Sequence, residues 1–268
     1  MINRQIYAML TNNCNLSCPH CDIKSSDDGY NEEAFIDALN KAEGRIVLFG
    51  GEPTLYRDRL IKILSLNKAS SISTNLTTKL DDEIISHLKK LSIGSSWNLN
   101  RFSPAEYQAW LNNLKILDEN GMGCTVLITL TEDLIEHDIN EFINLVKDWD
   151  KSFPSIKSIM FEQLVDTDKS NEFYIRVDDW LCEVHKLWES NNIKINNMIV
   201  DKLKNWYCDC SQTFTLHPNG EITNGCPHNT SIYVAGECLS CPDSDKCRPC
   251  RLQQYCTYPK KLAQLVKG

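Results

Sequence analysis

Nothing in this chain approaches the unbroken apolar stretch of about 20 residues that crosses a bilayer. Its start, Met-Ile-Asn-Arg-Gln-Ile-Tyr-Ala-Met-Leu, lacks the apolar core and small-residue cleavage site of a secretory signal. No dense block of Lys and Arg stands out, and the formal charge is −8. That argues against a partner gripped through a phosphate backbone. Internal repeats and low-complexity tracts are absent too. These absences set the expectation of a cytoplasmic protein with no membrane and no nucleic-acid polymer among its partners. A small nucleotide substrate stays open.

What is present in excess is cysteine: 13 in 268 residues. The composition is otherwise that of an ordinary globular chain, with 42% hydrophobic and 24% charged residues. Its length suits one substantial domain with a small appendage. The cysteines are unevenly spread. Three fall within residues 14–21 and eight within 208–256, leaving only Cys124 and Cys182 isolated. A secreted miniprotein would use such cysteines in disulfides, but short regular spacings in a reducing compartment point to metal thiolates.

Strand-like and helix-like segments alternate as far as about residue 190. Short apolar or β-branched runs at 4–10, 45–49, 70–74, 92–97, 124–130 and 156–162 read as strands. Helical spacing follows Glu32-Glu33 (Phe35, Ala38, Leu39, Ala42) and the cap Ser103-Pro104 (Tyr107, Trp110, Leu111, Leu114, Leu117). It recurs at Ile139, Phe142, Ile143 and Val146, and at Trp180, Leu181, Val184, Leu187 and Trp188. The alternation predicts an α/β fold with a parallel sheet and right-handed crossovers, and ligands at the carboxyl ends of its strands. Past residue 195 the periodicity fades while Cys, Pro, Gly and Asn rise. The expected division is therefore 1–198 and 199–268, the second part stapled by metal.

Thr11-Asn-Asn-Cys14-Asn-Leu-Ser-Cys18-Pro-His-Cys21 carries the spacing C-x3-C-x2-C directly after the first strand. Three thiolates on one loop can hold three irons of a [4Fe–4S] cube and leave the fourth open. A structural zinc site wants four closed ligands, and this loop supplies three, with His20 an awkward fourth beside Cys21. Spacing alone leaves both metals standing.

This loop resembles that of the radical S-adenosylmethionine (SAM) superfamily, in which an aromatic residue or His precedes the last Cys, as His20 does here. The resemblance implies that Cys14, Cys18 and Cys21 ligate the cluster and that SAM chelates its open iron. Reduction then cleaves SAM to a 5′-deoxyadenosyl radical, which takes hydrogen from an unactivated C–H bond. Phe49-Gly50-Gly51-Glu52-Pro53 ends the second strand and resembles the family's binding motif for the SAM amino group. Read from the residues alone, two glycines admit a close backbone approach and a carboxylate suits an ammonium, although a plain strand-to-helix turn has the same wording. Ser73 and Asn75 at the end of the third strand, with Ser95 and Ser96 at the end of the fourth, occupy places where the family contacts SAM. Outside that resemblance they read as caps and turns.

The late cysteines are Cys208, Cys210, Cys226, Cys238, Cys241, Cys247, Cys250 and Cys256, with a Pro218-Asn219-Gly220 hairpin before Cys226. They resemble the SPASM extension of peptide-maturing radical SAM enzymes, though Cys250 follows Cys247 by two intervening residues where that family has three. By that resemblance Cys208, Cys210, Cys226 and Cys250 hold one auxiliary [4Fe–4S] cluster, and Cys238, Cys241, Cys247 and Cys256 a second. In a competing register, Cys247, Cys250 and Cys256 take the C-x2-C-x5-C place and the segment holds one cluster. Cys124 and Cys182 read as small core residues, and His217 and His228 as loop residues.

The resemblance thus implies a partial (β/α)6 barrel with a Cys-rich cap. The implied substrate is a peptide or protein side chain, with flavodoxin or ferredoxin as electron donor. Because the chain begins almost at its first strand, no leader-peptide-binding domain is expected ahead of the barrel. The alternatives are a radical SAM enzyme acting on a small molecule such as a nucleoside or sugar, and a zinc-binding protein without activity.

Overall fold

Successive strands of this chain lie side by side. In the computed structural model, which describes residues 5–21, 23, 29–163, 171–198, 213–224 and 260–267, all six predicted strands form: β1 (Gln5–Met9), β2 (Arg45–Phe49), β3 (Ala69–Thr74), β4 (Ser92–Trp97), β5 (Cys124–Leu130) and β6 (Ile156–Gln163). The helices between them are α1 (Glu32–Lys41), α2 (Arg57–Ser65), α3 (Asp82–Leu88), α4 (Pro104–Glu119), α5 (Glu132–Glu136) and α6 (Ile139–Ser152), and α7 (Asn171–Ser190) follows β6. Every pair from β1 to β6 is parallel, as crossover helices require.

Local chemistry starts α1 and α4 where the sequence predicts, and α3, which the sequence patterns did not single out, begins in the same way. At α4 the Ser103 hydroxyl accepts from Glu106 N–H while the Glu106 carboxylate accepts from Ser103 N–H, with Pro104 in the first turn. Asn31 caps α1 and Asp81 caps α3. Register then sorts the side chains. Ala8, Leu48, Ile72, Ile93, Cys124 and Ile156 form one cross-strand row, and all are buried. The helices pack on this side. Trp97, Trp110, Trp149 and Trp180 lie in the core with Phe142 and Phe161, their rings 5.0 to 6.5 Å apart. Each such buried ring or aliphatic side chain contributes roughly 1.5–3 kcal/mol.

The other side has a different character. Ser73, Gly94, Thr125 and Ser158 align across β3 to β6, followed by Ser96, Leu127 and Met160, then Thr129 and Glu162. Most of these are half-buried. This open, hydroxyl-rich face lies opposite the helix layer, in a sheet that is unclosed among the described residues.

Three further strands extend the sheet beyond these six. A short β7 (Asn196–Asn197) joins β6, and the predicted hairpin forms as β8 (Thr213–Leu216) and β9 (Ile222–Asn224). The hairpin does not stand apart from the core: β8 pairs in parallel with β1, Ile6 opposite Phe214. The described order is β7-β6-β5-β4-β3-β2-β1-β8-β9. Gly220, at φ +88°, packs its turn onto Ala34 of α1 so closely that an added carbon would lie 2.6 Å from the Ala34 Cβ. The last helix, α8 (Lys260–Lys267), returns to α7, where the Asp178 carboxylate accepts from Lys261 and Leu262 N–H at 2.7 and 3.0 Å. No helix among the described residues is long and apolar enough to cross a membrane.

Candidate functional site

The loop after β1 carries Cys14, Cys18 and Cys21, and the turn after β2 holds it in place. Gly51 N–H donates to Thr11 O at 2.7 Å and Glu52 N–H to Asn13 O at 2.8 Å. The glycines are needed for this approach. A side-chain carbon on Gly50, which sits at φ +140°, would lie 2.4 Å from Thr11 O, and one on Gly51 would lie 2.0 Å from Asn13 O. The room that two glycines imply is therefore filled, at least in part, by the cysteine loop itself. Asn13 Nδ2 adds a bond to the Tyr56 hydroxyl at 2.7 Å.

Within the loop, Leu16 N–H donates to Cys14 Sγ at 3.4 Å and Cys21 N–H to Cys18 O at 3.1 Å. Cys14, Cys18 and His20 are half-buried and Cys21 is exposed; all three thiols are free. Among the described residues, no three His, Cys, Asp or Glu side chains gather around a point fit for one metal ion.

Glu52 is wholly buried, and no cation pairs with it among the described residues. Oε1 accepts from Thr54 N–H at 3.0 Å, Thr54 Oγ1 at 2.5 Å and Thr74 Oγ1 at 2.6 Å, while Oε2 accepts from Asn75 N–H at 2.6 Å. Each carboxylate oxygen has two lone pairs, and Oε2, with the Asn75 N–H as its one donor among the described residues, keeps capacity for another. Thr54 and Thr74, which hold this carboxylate, are partners that sequence spacing did not single out. Pro53 is buried and starts the 3-10 turn Pro53–Leu55 that Glu52 caps.

The end of β3 closes over the same loop. Asn75 Nδ2 donates to Asn15 Oδ1 at 2.9 Å and lies 3.9 Å from Cys14 Sγ, and Asn15 Nδ2 donates to Thr77 Oγ1 at 2.8 Å. Asn75 thus joins the cysteine loop to the turn that holds Glu52. Ser73 lies on the open face, in register with Gly94. Ser95 stands apart. It is in register with Thr74, and its hydroxyl accepts from Trp110 Nε1 at 2.8 Å on the side covered by α4. Strand alternation puts Ser96, its neighbour, on the open face.

Burial pushes the Cys14 and Cys18 thiols above their ordinary value. The Glu52 carboxylate adds to the rise at Cys14, and the Arg101 guanidinium opposes it at both. Arg101 follows β4, and sequence reading passed over it because a lone Arg in a polar loop has no periodic signal. His217 is half-buried within the hairpin, its Nε2 2.9 Å from Thr223 Oγ1. Burial lowers its pKa. Cys124 is buried in the core as predicted, whereas Cys182 on α7 is only half-buried. Cys208, Cys210, Cys226, Cys238, Cys241, Cys247, Cys250, Cys256 and His228 lie outside the described residues.

The chain is similar to known proteins in ways that agree with this geometry. It aligns with the 7-carboxy-7-deazaguanine synthase of Methanospirillum hungatei JF-1 at 32% identity over 103 residues, 34% of this chain and 44% of that relative. The match thus spans less than half of that relative's length. Among solved structures, histidine-tagged anSMEcpe with bound AdoMet superposes with a TM-score of 0.63 at 18% identity, over 85% of this chain and 75% of that one. Streptococcus suis SuiB bound to S-adenosylmethionine gives 0.60 at 14% identity, over 87% and 60%. These likenesses establish the fold. Residues 9–146, just over half of the chain and spanning both the cysteine loop and the Gly50–Pro53 turn, match the model of the radical SAM superfamily, and the chain belongs to that family.

Proposed function

We propose that this protein binds a [4Fe–4S] cluster through Cys14, Cys18 and Cys21 and uses it to cleave SAM reductively, abstracting hydrogen from a peptide or protein side chain. The observation that carries the reading is the docking of the Gly50–Glu52 turn onto the cysteine loop, which sets a buried carboxylate beside Cys14. Held by Cys14, Cys18 and Cys21, a [4Fe–4S] cluster would supply the one-electron chemistry that cleaves a carbon–sulfur bond of SAM. The chain's own groups do the rest. Glu52 Oε2 offers its remaining acceptor capacity to the SAM ammonium, Asn75 fixes the loop, and His20 and Pro53 border it. The hydroxyl-rich face of β3 to β6, with Ser73 and Ser96 at its edge, receives the remainder of the ligand and the substrate.

The peptide preference rests on the late cysteines, which resemble a SPASM extension holding one or two auxiliary clusters. It is supported by likeness of fold to anSMEcpe, one of whose structures contains the Kp18Cys peptide. The supporting electron donor is a small low-potential protein such as flavodoxin or ferredoxin, in the cytoplasm. A second reading, action on a small molecule, is favoured by the relative named 7-carboxy-7-deazaguanine synthase. Product analysis of the reconstituted enzyme separates the two. Modified peptide, with no turnover of free nucleosides or sugars, supports the first; turnover of a free small molecule without any peptide contradicts it.

A further inference from the structure

We propose that Arg59 is a positioning residue for the cysteine loop: its guanidinium ties together the chain on both sides of Cys14, Cys18 and Cys21, so that the three thiolates stay gathered on the cluster. The inference rests on the cluster assignment above and goes beyond it to the residue that keeps the ligand loop in shape.

Three contacts put Arg59 in that role. From the first turn of α2 its Nη1 donates to Leu10 O at 2.7 Å, where the chain leaves β1 for the cysteines. Its Cζ lies 3.6 Å from the centroid of the Tyr30 ring, which stands after the last of the three cysteines and just before α1. The same Cζ lies 4.4 Å from the centroid of Tyr56, whose hydroxyl accepts from Asn13 Nδ2 at 2.7 Å. One planar cation thus joins the entrance of the loop, its interior and the chain beyond it.

The anchors are themselves fixed. Leu10 is wholly buried, and its N–H donates to Phe49 O at 2.9 Å. The Tyr30 ring packs 5.7 Å from that of buried Phe35, and the next residue, Asn31, donates its N–H to Pro218 O at 3.0 Å. Arginine suits the task, because its flat face lies on an aromatic ring while an edge N–H still donates; a lysine ammonium does not reproduce both. The consequence falls on the metal. A thiolate that lets go of its iron rebinds according to its effective concentration, which drops as its segment gains freedom.

The test compares wild type with R59M, R59K, Y30A and the double variant Y30A/R59M, and takes R57M as control. Arg57, on the same helix, pairs with Asp81 and Glu83 on the surface, so R57M removes ion pairs and leaves the Arg59 contacts in place. The first readout is amide hydrogen exchange in the metal-free protein, followed over residues 10–21 and, as reference, in α4. The second is the rate at which reconstituted protein without SAM yields iron to a ferrous chelator. R59M should speed both the exchange over residues 10–21 and the iron release by roughly tenfold, with α4 unchanged. R59K, the milder change, should fall between R59M and wild type, and R57M should match wild type. Y30A should release iron faster than wild type, and the double variant no faster than R59M, because the two residues act through one contact.

Exchange and iron release in R59M no faster than in R57M would overturn the inference. Effects that multiply in the double variant would overturn it too, since Arg59 and Tyr30 would then act separately. A wild-type chain that takes up no iron and sulfide overturns the cluster assignment instead, and the exchange arm, which needs no metal, still decides whether Arg59 holds the loop.

Discussion

A side-chain carbon on Gly51 would sit 2.0 Å from the carbonyl oxygen of Asn13, inside the loop that carries the three cysteines. The turn after β2 and the loop after β1 therefore form one unit, and disturbing either should disturb the metal site. G51A should fold with a loss of about 1–3 kcal/mol from overpacking and retain a small fraction of the wild-type iron and labile sulfide. Thermal melting and iron counts after reconstitution check both parts. G121A lies in open space and serves as the control; it should lose stability through its φ of +64° yet keep its iron.

Glu52 accepts four hydrogen bonds in a wholly buried place. E52Q keeps the shape but offers an NH2 where an acceptor is needed, leaving a buried donor such as Asn75 N–H unpaired. The expected cost is about 1–3 kcal/mol of stability. SAM affinity should fall by roughly tenfold or more as a charge-assisted bond is lost. Calorimetric titration of SAM into reconstituted protein measures the second effect separately from the first.

Ser95 should be a structural residue. S95A leaves the Trp110 indole N–H unpaired in the core, at about 1–3 kcal/mol. SAM affinity should stay within about twofold, a factor worth well under 1 kcal/mol. A large loss of SAM affinity in S95A with normal melting contradicts the placement of its hydroxyl on the helix side.

Burial pushes the Cys124 thiol from its ordinary value of 9.0 up to about 12. The folded state therefore keeps this proton where the unfolded state has lost it. Its contribution is fully present below pH 9.0 and declines as pH rises from 9.0 to about 12. The difference in urea midpoint between wild type and C124A should shift against wild type across that window. Native protein should also shield Cys124 from iodoacetamide, with labelling appearing only on unfolding.

Much of this architecture is legible in the sequence because its signals are local. The apolar runs that become β1 to β6 are bounded by turns, and Ser103-Pro104 with Glu106 announces its helix. Gly50 and Gly51 are legible as a place of close approach, but not what approaches. Thr11 and Asn13 are about 40 residues away in the chain, so only folding reveals them. The hairpin at Pro218-Asn-Gly is likewise readable, whereas its parallel pairing with β1 is a non-local choice. Arg101 left no trace, since a single cation after a strand is ordinary, and its charge acts on Cys14 and Cys18 only in the folded chain. Ser95 and Ser96 read alike in sequence, and the strand's two-residue period separates them.

The account stands on Cys14, Cys18 and Cys21 as the ligands of a SAM-cleaving cluster. The most direct measurement is 5′-deoxyadenosine formed from SAM by anaerobically reconstituted, reduced protein, with and without Cys→Ala replacement at all three positions. The account predicts formation of 5′-deoxyadenosine by the wild type and none above background from the triple variant. Equal cleavage by both proteins, or none by a wild type loaded with iron and sulfide, would contradict it.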